Sequence, residues 1–412
     1  MSREWIYDVG VVGGAGHVGL PLALMFAACG KRTLIQDINE DSLGVIESGV
    51  MPHMEHDAED YLGRALDSEN LTLTTKVEEL ADTRIIIITI GTPVDEFLNP
   101  VYRAIKVCLD SVLPHLSDDQ LIILRSTVYP GTTEWLHQYL RRDGRETLVA
   151  FCPERVTQGH AIREIQEMPQ IVSGTTPEAE QQAEMLFEEI APEIVRMTPT
   201  EAEFAKLFAN AYRYVQFATA NQFYMIAKEA GLDYSRIRQG LVHNYERAKD
   251  LPRAGFAAGP CLFKDTMQLS AFANNQFSLG HDAMLINEGL VLHVVDDIRQ
   301  RYDISKLTIG LLGMAFKADC DDIRASLSYK MKHALQLHAA EVLTTDPYVT
   351  VDPELLPLED VIEGSDVLVL CTPHSDYRDL KLPNKPVVDI WGVFDGVRSE
   401  PEILRRAFGT GS

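Results

Sequence analysis

Val11-Val-Gly-Gly14-Ala-Gly16-His-Val-Gly19 lies between a short apolar run, Tyr7 to Val12, and a helix-length apolar segment, Val18 to Cys29. A G-x-G-x-x-G spacing between a strand and a helix assigns each glycine a task. Gly14 makes the tight turn, Gly16 lets the backbone approach a pyrophosphate, and Gly19 lets helix and strand pack closely. The free N–H groups at the helix start, along Ala15, His17 and Val18, then receive negative charge. Asp37 follows eighteen residues past Gly19, at the end of the next apolar run, Thr33 to Gln36. A carboxylate there accepts hydrogen bonds from an adenosine ribose and repels a 2′-phosphate, which selects NAD over NADP.

Outward from this turn, Arg84-Ile-Ile-Ile-Ile-Thr-Ile90 and Gln120 to Leu124 read as further buried strands. Continuous β-branched runs separated by helical pattern indicate a parallel sheet with both faces covered. This first domain is expected over residues 1–198. The pattern then turns helical. Thr200-Glu-Ala-Glu203 reads as a capping box opening about thirty residues of helix that end at Gly231, a C′ glycine. A loop rich in Gly, Pro and Ala spans Asp250 to Pro260, and a helix from Asp282 to Arg301 closes an all-α middle, 199–302. Strand–helix alternation resumes over 303–412, with strands at Leu307 to Leu312, Glu341 to Thr345, Asp366 to Cys371 and Val387 to Ile390, and a helix from Leu327 to His338. The expected fold is therefore α/β, with two Rossmann-like parallel-sheet domains joined by an all-α middle domain that carries a long spine helix.

Composition narrows the function. The chain has 412 residues, 46% hydrophobic and 24% charged, as a folded multidomain protein should. With 37 basic and 61 acidic residues its net charge is −24, and no basic run offsets it. Nucleic acid and anionic membrane are excluded as partners on that ground. Any anionic substrate must be met by a few local cations. Cysteines at 29, 108, 152, 261, 320 and 371 form no C-x-x-C pair and no metal spacing with His, so neither disulfides nor a metal is expected, and a cytoplasmic location fits. Val9 to Gly30 is uncharged, but five glycines and Pro21 interrupt its first half and no basic leader precedes it, so it is read as neither signal peptide nor membrane span.

Three further features carry chemistry. Ile309-Gly-Leu-Leu-Gly313-Met-Ala-Phe-Lys317 begins as a second nucleotide turn and places Lys317 where a helix would start, with Arg324 seven residues on. Ala257-Ala-Gly-Pro-Cys261-Leu-Phe-Lys264-Asp265 puts a cysteine after a Gly-Pro turn, before a helical stretch and near a lysine, a setting that lowers a thiol pKa. Lys206 and Asn210 stand four apart on the spine helix and share a face, an ammonium and an amide suited to a developing oxyanion. Each also has a plain structural reading: two solvated charges on a loop, a buried structural cysteine, a solvated helix edge.

Together these residues resemble the UDP-glucose/GDP-mannose dehydrogenase family from about Val9 to Phe394. The matching motifs are Gly14-Ala-Gly-His-Val-Gly-Leu-Pro21, Thr92-Pro93, Ser126-Thr-Val-Tyr-Pro-Gly-Thr132, Pro153-Glu-Arg-Val-Thr-Gln-Gly159, Glu203 to Asn210 as E-x-x-K-x-x-x-N, Gly259 to Asp265 as G-x-C-x-x-K-D, and Phe316 to Arg324 as F-K-x-x-x-x-D-x-R. The resemblance implies a four-electron oxidation of a UDP-sugar C6 alcohol to the uronate with two NAD reduced, through a thiohemiacetal and a thioester on Cys261. It places the glycine loop, Asp37, Thr92, Thr127, Lys264 and Arg324 around NAD. Around the sugar nucleotide it places Glu154, Arg155, Val156, Lys206, Asn210, Arg247, Arg253, Phe256, Phe316 and Lys317. Lys206 and Asn210 would stabilise oxyanions, Asp265 would move protons near Cys261, and Glu154 or a water held near Thr127 would support hydrolysis. A homodimer is implied through the helical middle.

Pro153-Glu-Arg155 and Gly259-Pro-Cys261 resemble the branch acting on UDP-N-acetylhexosamines (ManNAc or GlcNAc), with UDP-glucose as the alternative. Tyr245-Glu-Arg247 and Ala257-Ala258 depart from both branches. A two-electron dehydrogenase lacking the sulfur step, or a non-catalytic NAD-sensing protein, are the remaining readings.

Overall fold

The computed structural model describes residues 4–92, 95, 102–382 and 384–394; Pro93 of the Thr92-Pro93 motif lies outside them. The chain divides into two compact units, one up to Ala209 and the other from Asn210 on. In the first unit eight strands form one sheet: β1 (Tyr7–Val12), β2 (Thr33–Gln36), β3 (Leu71–Thr74), β4 (Thr83–Ile88), β5 (Leu121–Leu124), β6 (Leu148–Phe151), β7 (Gln170–Gly174) and β8 (Ile194–Arg196). Their order is β3-β2-β1-β4-β5-β6-β7-β8, parallel throughout except for the β6–β7 pair.

The isoleucine run of β4 shows why such strands have no polar face. Ile85 and Ile87 join the core on the side of the helix Gly19–Ala28, while Ile86 and Ile88 join the core on the opposite side. Side chains alternate across the pleat, so a sheet covered on both sides needs apolar residues at every position. The strand stops at Ile88, two residues before the apolar pattern does. Beyond it the Thr89 hydroxyl donates to the carbonyls of Val12 and Gly13, and the Ser126 hydroxyl to that of Ile90.

In the second unit β9 (Thr308–Leu312), β10 (Glu341–Thr345), β11 (Val367–Leu370) and β12 (Val387–Asp389) form a parallel sheet ordered β10-β9-β11-β12. Its core is shared with the helices Ser278–Arg301 and Leu327–Gln336 through Leu290, Val294, Ile298, Met331 and Leu335. No helix among the described residues is long and apolar enough to cross a membrane.

The spine helix runs over Pro199–Glu229. Its cap differs from the expected box at 200–203. Thr198 and Glu201 exchange the reciprocal bonds: the Thr198 amide and hydroxyl donate to the Glu201 carboxylate, and the Glu201 amide donates to the Thr198 hydroxyl. Glu203 is drawn away instead. It is 1% exposed and accepts from the amides of Gly131 and Thr133 and from the Thr133 hydroxyl, at 2.6–2.8 Å, which satisfies the N-terminus of the helix Thr132–Arg142. Proline at the first helical position favours the earlier start. Gly231 adopts φ +72 just past the helix end, as a C′ glycine does.

Replacing Thr198 by Ala should cost about 1 kcal/mol of stability, as loss of an N-cap does, whereas Thr200→Ala should change it by only a few tenths. Urea unfolding of the two variants checks this.

Candidate functional site: two nucleotide turns and a cysteine loop

Both units open with the same device. In the first, the Gly13 amide donates to the Gln36 carbonyl at the end of β2, and Gly13, not Gly14, takes the left-handed conformation with φ +76. Gly14 is required for space: a Cβ there would meet the Val11 carbonyl at 2.7 Å and Ile35 at 2.9 Å. Gly19 packs as expected, since a Cβ would meet the Gly13 carbonyl at 2.6 Å. Gly16 is exposed, and a Cβ on it would find only the Gly13 carbonyl, at 3.5 Å. The loop thus leaves its one open approach at the glycine that a pyrophosphate needs.

Asp37 is half-buried. Its Oδ2 accepts from the Ala15 amide and its Oδ1 from the Asn39 amide, each at 3.0 Å. The carboxylate therefore braces the glycine loop while keeping lone pairs for ribose hydroxyls. His17 is held by a 3.0 Å contact to Gln158 and by the His53 ring at 4.1 Å; Val18 beside it is half-buried. The Thr92 hydroxyl donates to the Thr127 carbonyl at 2.6 Å, tying together the loops that follow β4 and β5. An exposed Gly16 in the glycine loop and an acid at the end of β2 fit NAD.

Glu154 is nearly buried and fully engaged. Oε2 accepts from Nε and Nη2 of Arg125 at 2.9 and 2.5 Å, and Oε1 accepts from the amides of Arg155 and Val156 at 2.7 and 2.9 Å. Arg125, 1% exposed, also donates to the Cys152 carbonyl and to Gln170. The carboxylate, paired with a buried guanidinium and two amides, shapes the turn at 154–156. The Arg155 guanidinium donates to the Pro169 carbonyl, which directs its charge toward that loop.

In the second unit Gly313 repeats the role of Gly13: φ is +90, and its amide donates to the Thr345 carbonyl at the end of β10. The loop that follows does not become a helix until Leu327. Within it Phe316 and Lys317 are half-buried, and Arg324 is 57% exposed and clamped by Asp322, which accepts from its amide, Nε and Nη2 at 2.6–3.0 Å. Asp322 foremost, and the Cys261 sulfur to a smaller degree, hold the Arg324 guanidinium above its usual pKa.

Cys261 is exposed at the N-cap of the helix Leu262–Phe272. Its turn is joined to the Arg324 loop, because the Gly259 amide donates to the Ala325 carbonyl and Gly259 lies against the Phe316 ring so closely that no Cβ fits. Asp265, one turn into the helix, is fully buried; its Oδ2 accepts from Asn210 Nδ2 at 2.5 Å, and Lys264 Nζ stands 3.5 Å from Oδ1. Lys206 is half-buried one turn earlier on the spine helix.

The thiols are not equivalent. Burial pushes Cys108 up to about 11 and Cys152 up to about 12, and burial with the Glu189 carboxylate raises exposed Cys29. Cys261 alone pairs exposure with a neighbouring guanidinium.

Two expected substrate contacts are redirected. The Arg253 guanidinium donates to the carbonyls of Trp391 and Gly392 at 3.1 and 2.5 Å, strapping its loop to the segment after β12. Phe256 is 4% exposed within the core, so its ring is not available to a ligand. Arg247 is exposed on the short helical turn Glu246–Ala248. Arg125, Asp346 and the buried pair Asn221–Asn287, whose Asn221 accepts from and donates to Gly255, were missed by motif reading, whereas Asp322 stands in the F-K-x-x-x-x-D-x-R motif with no role assigned to it there. Asp346 was detectable in principle, since it follows β10 as Asp37 follows β2.

Two sheets with nucleotide turns, one suited to NAD, and an exposed thiol beside a guanidinium define an NAD-dependent dehydrogenase with a second nucleotide site. Residues 8–191 match the NAD-binding domain of the UDP-glucose/GDP-mannose dehydrogenase family, 200–289 its central domain and 310–396 its UDP-binding domain, and the chain belongs to that family. It is 32% identical over 385 residues to a UDP-N-acetyl-D-mannosamine dehydrogenase of Pyrococcus horikoshii, covering 89% of this chain and 90% of that one. It is 29% identical to an NDP-N-acetyl-D-galactosaminuronic acid dehydrogenase of Ralstonia nicotianae, covering 93% and 96%. Among solved structures, the UDP-D-ManNAc dehydrogenase of Pyrococcus horikoshii superposes with a TM-score of 0.87 at 28% identity over 96% of this chain and 97% of that one. The UDP-glucose dehydrogenase of Pyrobaculum islandicum shares the fold, with a TM-score of 0.88 at 24% identity over 95% and 96%. The protein is thus an NAD-dependent nucleotide-sugar dehydrogenase.

Arg125→Met leaves the Glu154 carboxylate buried without its partner and should cost about 3–5 kcal/mol, and adding Glu154→Gln should recover part of that loss. Denaturant unfolding of both variants reads the difference.

Proposed function

We propose that this protein oxidises the C6 alcohol of a UDP-N-acetylhexosamine to the carboxylate by way of a covalent Cys261 intermediate. The observation that carries this reading is the exposed Cys261, joined through Gly259 to the loop of a clamped guanidinium. NAD, which the Gly14–Gly19 loop, Asp37 and Thr92 would hold, would supply the hydride acceptor for each of the two oxidations at C6.

The chain's own residues do the rest. Loss of a proton with the first hydride turns the alcohol into an aldehyde, and Lys206 with Asn210 stabilises the alkoxide on the way. The Cys261 thiolate, favoured by Arg324, then forms a C–S bond to C6, giving a thiohemiacetal. Its oxidation yields a thioester with no further change of bonds to sulfur. Water adds to that thioester, the C–S bond breaks, and the thiolate is restored with release of the carboxylate. Asp265, hydrogen-bonded to Asn210, relays protons beside the sulfur. Since both Glu154 oxygens are engaged, the hydrolytic water is assigned to the neighbourhood of Thr127, with Glu154 shaping the turn. Phe316 and Lys317 hold the sugar nucleotide.

Pro153-Glu-Arg155 and Gly259-Pro-Cys261 favour an N-acetylhexosamine over glucose, as do the names of the Pyrococcus horikoshii and Ralstonia nicotianae relatives. A homodimer is supported by an exposed apolar stripe on the spine helix, Phe208, Tyr212, Phe223 and Ile226, which recurs at helical spacing.

With UDP-N-acetylmannosamine, UDP-N-acetylglucosamine and UDP-glucose offered in parallel, one of the N-acetyl donors should yield two NADH per sugar consumed, by absorbance. In Cys261→Ser that yield should fall to one or fewer, with no uronate formed. A wild-type yield of one, or an unaltered yield in Cys261→Ser, would refute the sulfur route.

A further inference from the structure

The two nucleotide turns share their construction but not the fate of their acids. Asp37 accepts from one amide of its glycine loop and stays half-buried. Asp346 accepts from two, Met314 and Ala315, at 2.6 and 2.9 Å, and from Tyr348 and Val349 on its other oxygen. Its side chain is completely buried, and the direction from which a ribose could approach is filled by His374, whose Nε2 stands 3.0 Å from Oδ2. Burial alone would raise the Asp346 pKa, but His374 and the backbone donors outweigh it and hold the carboxyl below its ordinary value.

His374 is buried as completely as its partner, and its other nitrogen is also engaged: the Asp319 amide donates to Nδ1 at 3.0 Å. That bond fixes the proton. Nδ1 needs a lone pair to accept from an amide, so the hydrogen lies on Nε2 and points at Asp346. Tyr348 and Tyr377 meet the ring edge-on at 5.0 and 5.5 Å and hold its plane. Asp319, with φ +53, closes the arrangement by accepting from the Ser375 amide and hydroxyl at 2.7 and 2.9 Å.

The loop carrying Phe316, Lys317 and Arg324 is therefore pinned at its start, through Asp346, and at its middle, through Asp319. One imidazole connects both pins. We propose that His374 is the positioning residue of the nucleotide loop in the second unit: as a neutral Nε2–H imidazole it turns the acid that would read a ribose into an anchor, and so fixes Phe316 and Lys317 for a UDP-sugar. The proposal rests on the nucleotide-sugar reading above. His374 touches no substrate; it acts through the loop.

Three substitutions separate its contacts. His374→Gln keeps a donor for Asp346 and loses the acceptor for Asp319, His374→Asn does the reverse, and His374→Phe loses both. UDP alone is titrated calorimetrically into each full-length variant, and NADH binding is followed by its fluorescence. The Gln and Asn variants should each bind UDP several-fold more weakly and the Phe variant by at least about tenfold, which is 1.4 kcal/mol. NADH affinity should stay within about twofold. The KM for the UDP-sugar should rise with UDP Kd while kcat changes far less. Wild-type UDP affinity in His374→Phe would overturn the proposal, as would equal losses of UDP and NADH affinity in the Gln and Asn variants. Failure of wild-type protein to bind UDP would overturn the nucleotide-sugar reading and the proposal with it.

Discussion

A carboxylate at the end of one strand, bonded to the amides of the turn that leaves its neighbour, is the constraint on which both units depend. A parallel strand must end in a turn whose N–H groups find no partner in the sheet, and an unpaired buried amide costs about 1–3 kcal/mol. Asp37 and Asp346 meet that need from the adjacent strand. Once they do, the glycine ahead of them is forced into the left-handed conformation and the amide row beyond is presented outward. Whether that row binds a dinucleotide or anchors a loop depends on what else reaches the carboxylate. Asn39 alone does so in the first unit, and His374 in the second.

Electrostatics follow the same economy. The chain is strongly acidic, yet its reactants are anions. Three cations are each held by a named acid: Arg324 by Asp322, Lys264 beside Asp265, Arg125 by Glu154. Paired in this way they are aimed without adding a diffuse positive field. A clamped guanidinium loses little side-chain entropy when a thiolate or phosphate arrives.

Most of the architecture was legible in periodicity, because a strand buried on both faces advertises itself as an unbroken run such as Ile85 to Ile88. The four strands β1, β2, β4 and β5, the strands of the second sheet and the long helix could be read that way, whereas β3, β6, β7 and β8 were not. Side-chain destinations could not. Glu203 has the spacing of a capping residue, yet the amides of Gly131 and Thr133, seventy residues away in sequence, compete for it and win. The family resemblance places Arg253 and Phe256 at the sugar nucleotide, but one reaches backbone carbonyls near Trp391 and the other enters the core. Local spacing reports which residues share a face of an element; it carries no information on distant donors. Asp346 was hidden for the opposite reason, since the turn after β9 lacks the glycine signature's full length, and only the equivalence of Asp346 to Asp37 reveals it.

The Arg253 strap links the cysteine loop to the stretch of chain that follows β12. Beyond β12, Asp389 gathers the amides of Trp391, Gly392, Val393 and Phe394, and those same residues offer Arg253 its carbonyls and Gly255 an indole to lie against. A protease nick or premature stop just after Ile390 would therefore spare every described strand and still unfasten the loop that leads to Cys261. Such a truncated chain would be folded by spectroscopy and impaired in turnover, a lesion at the tail felt at the thiol.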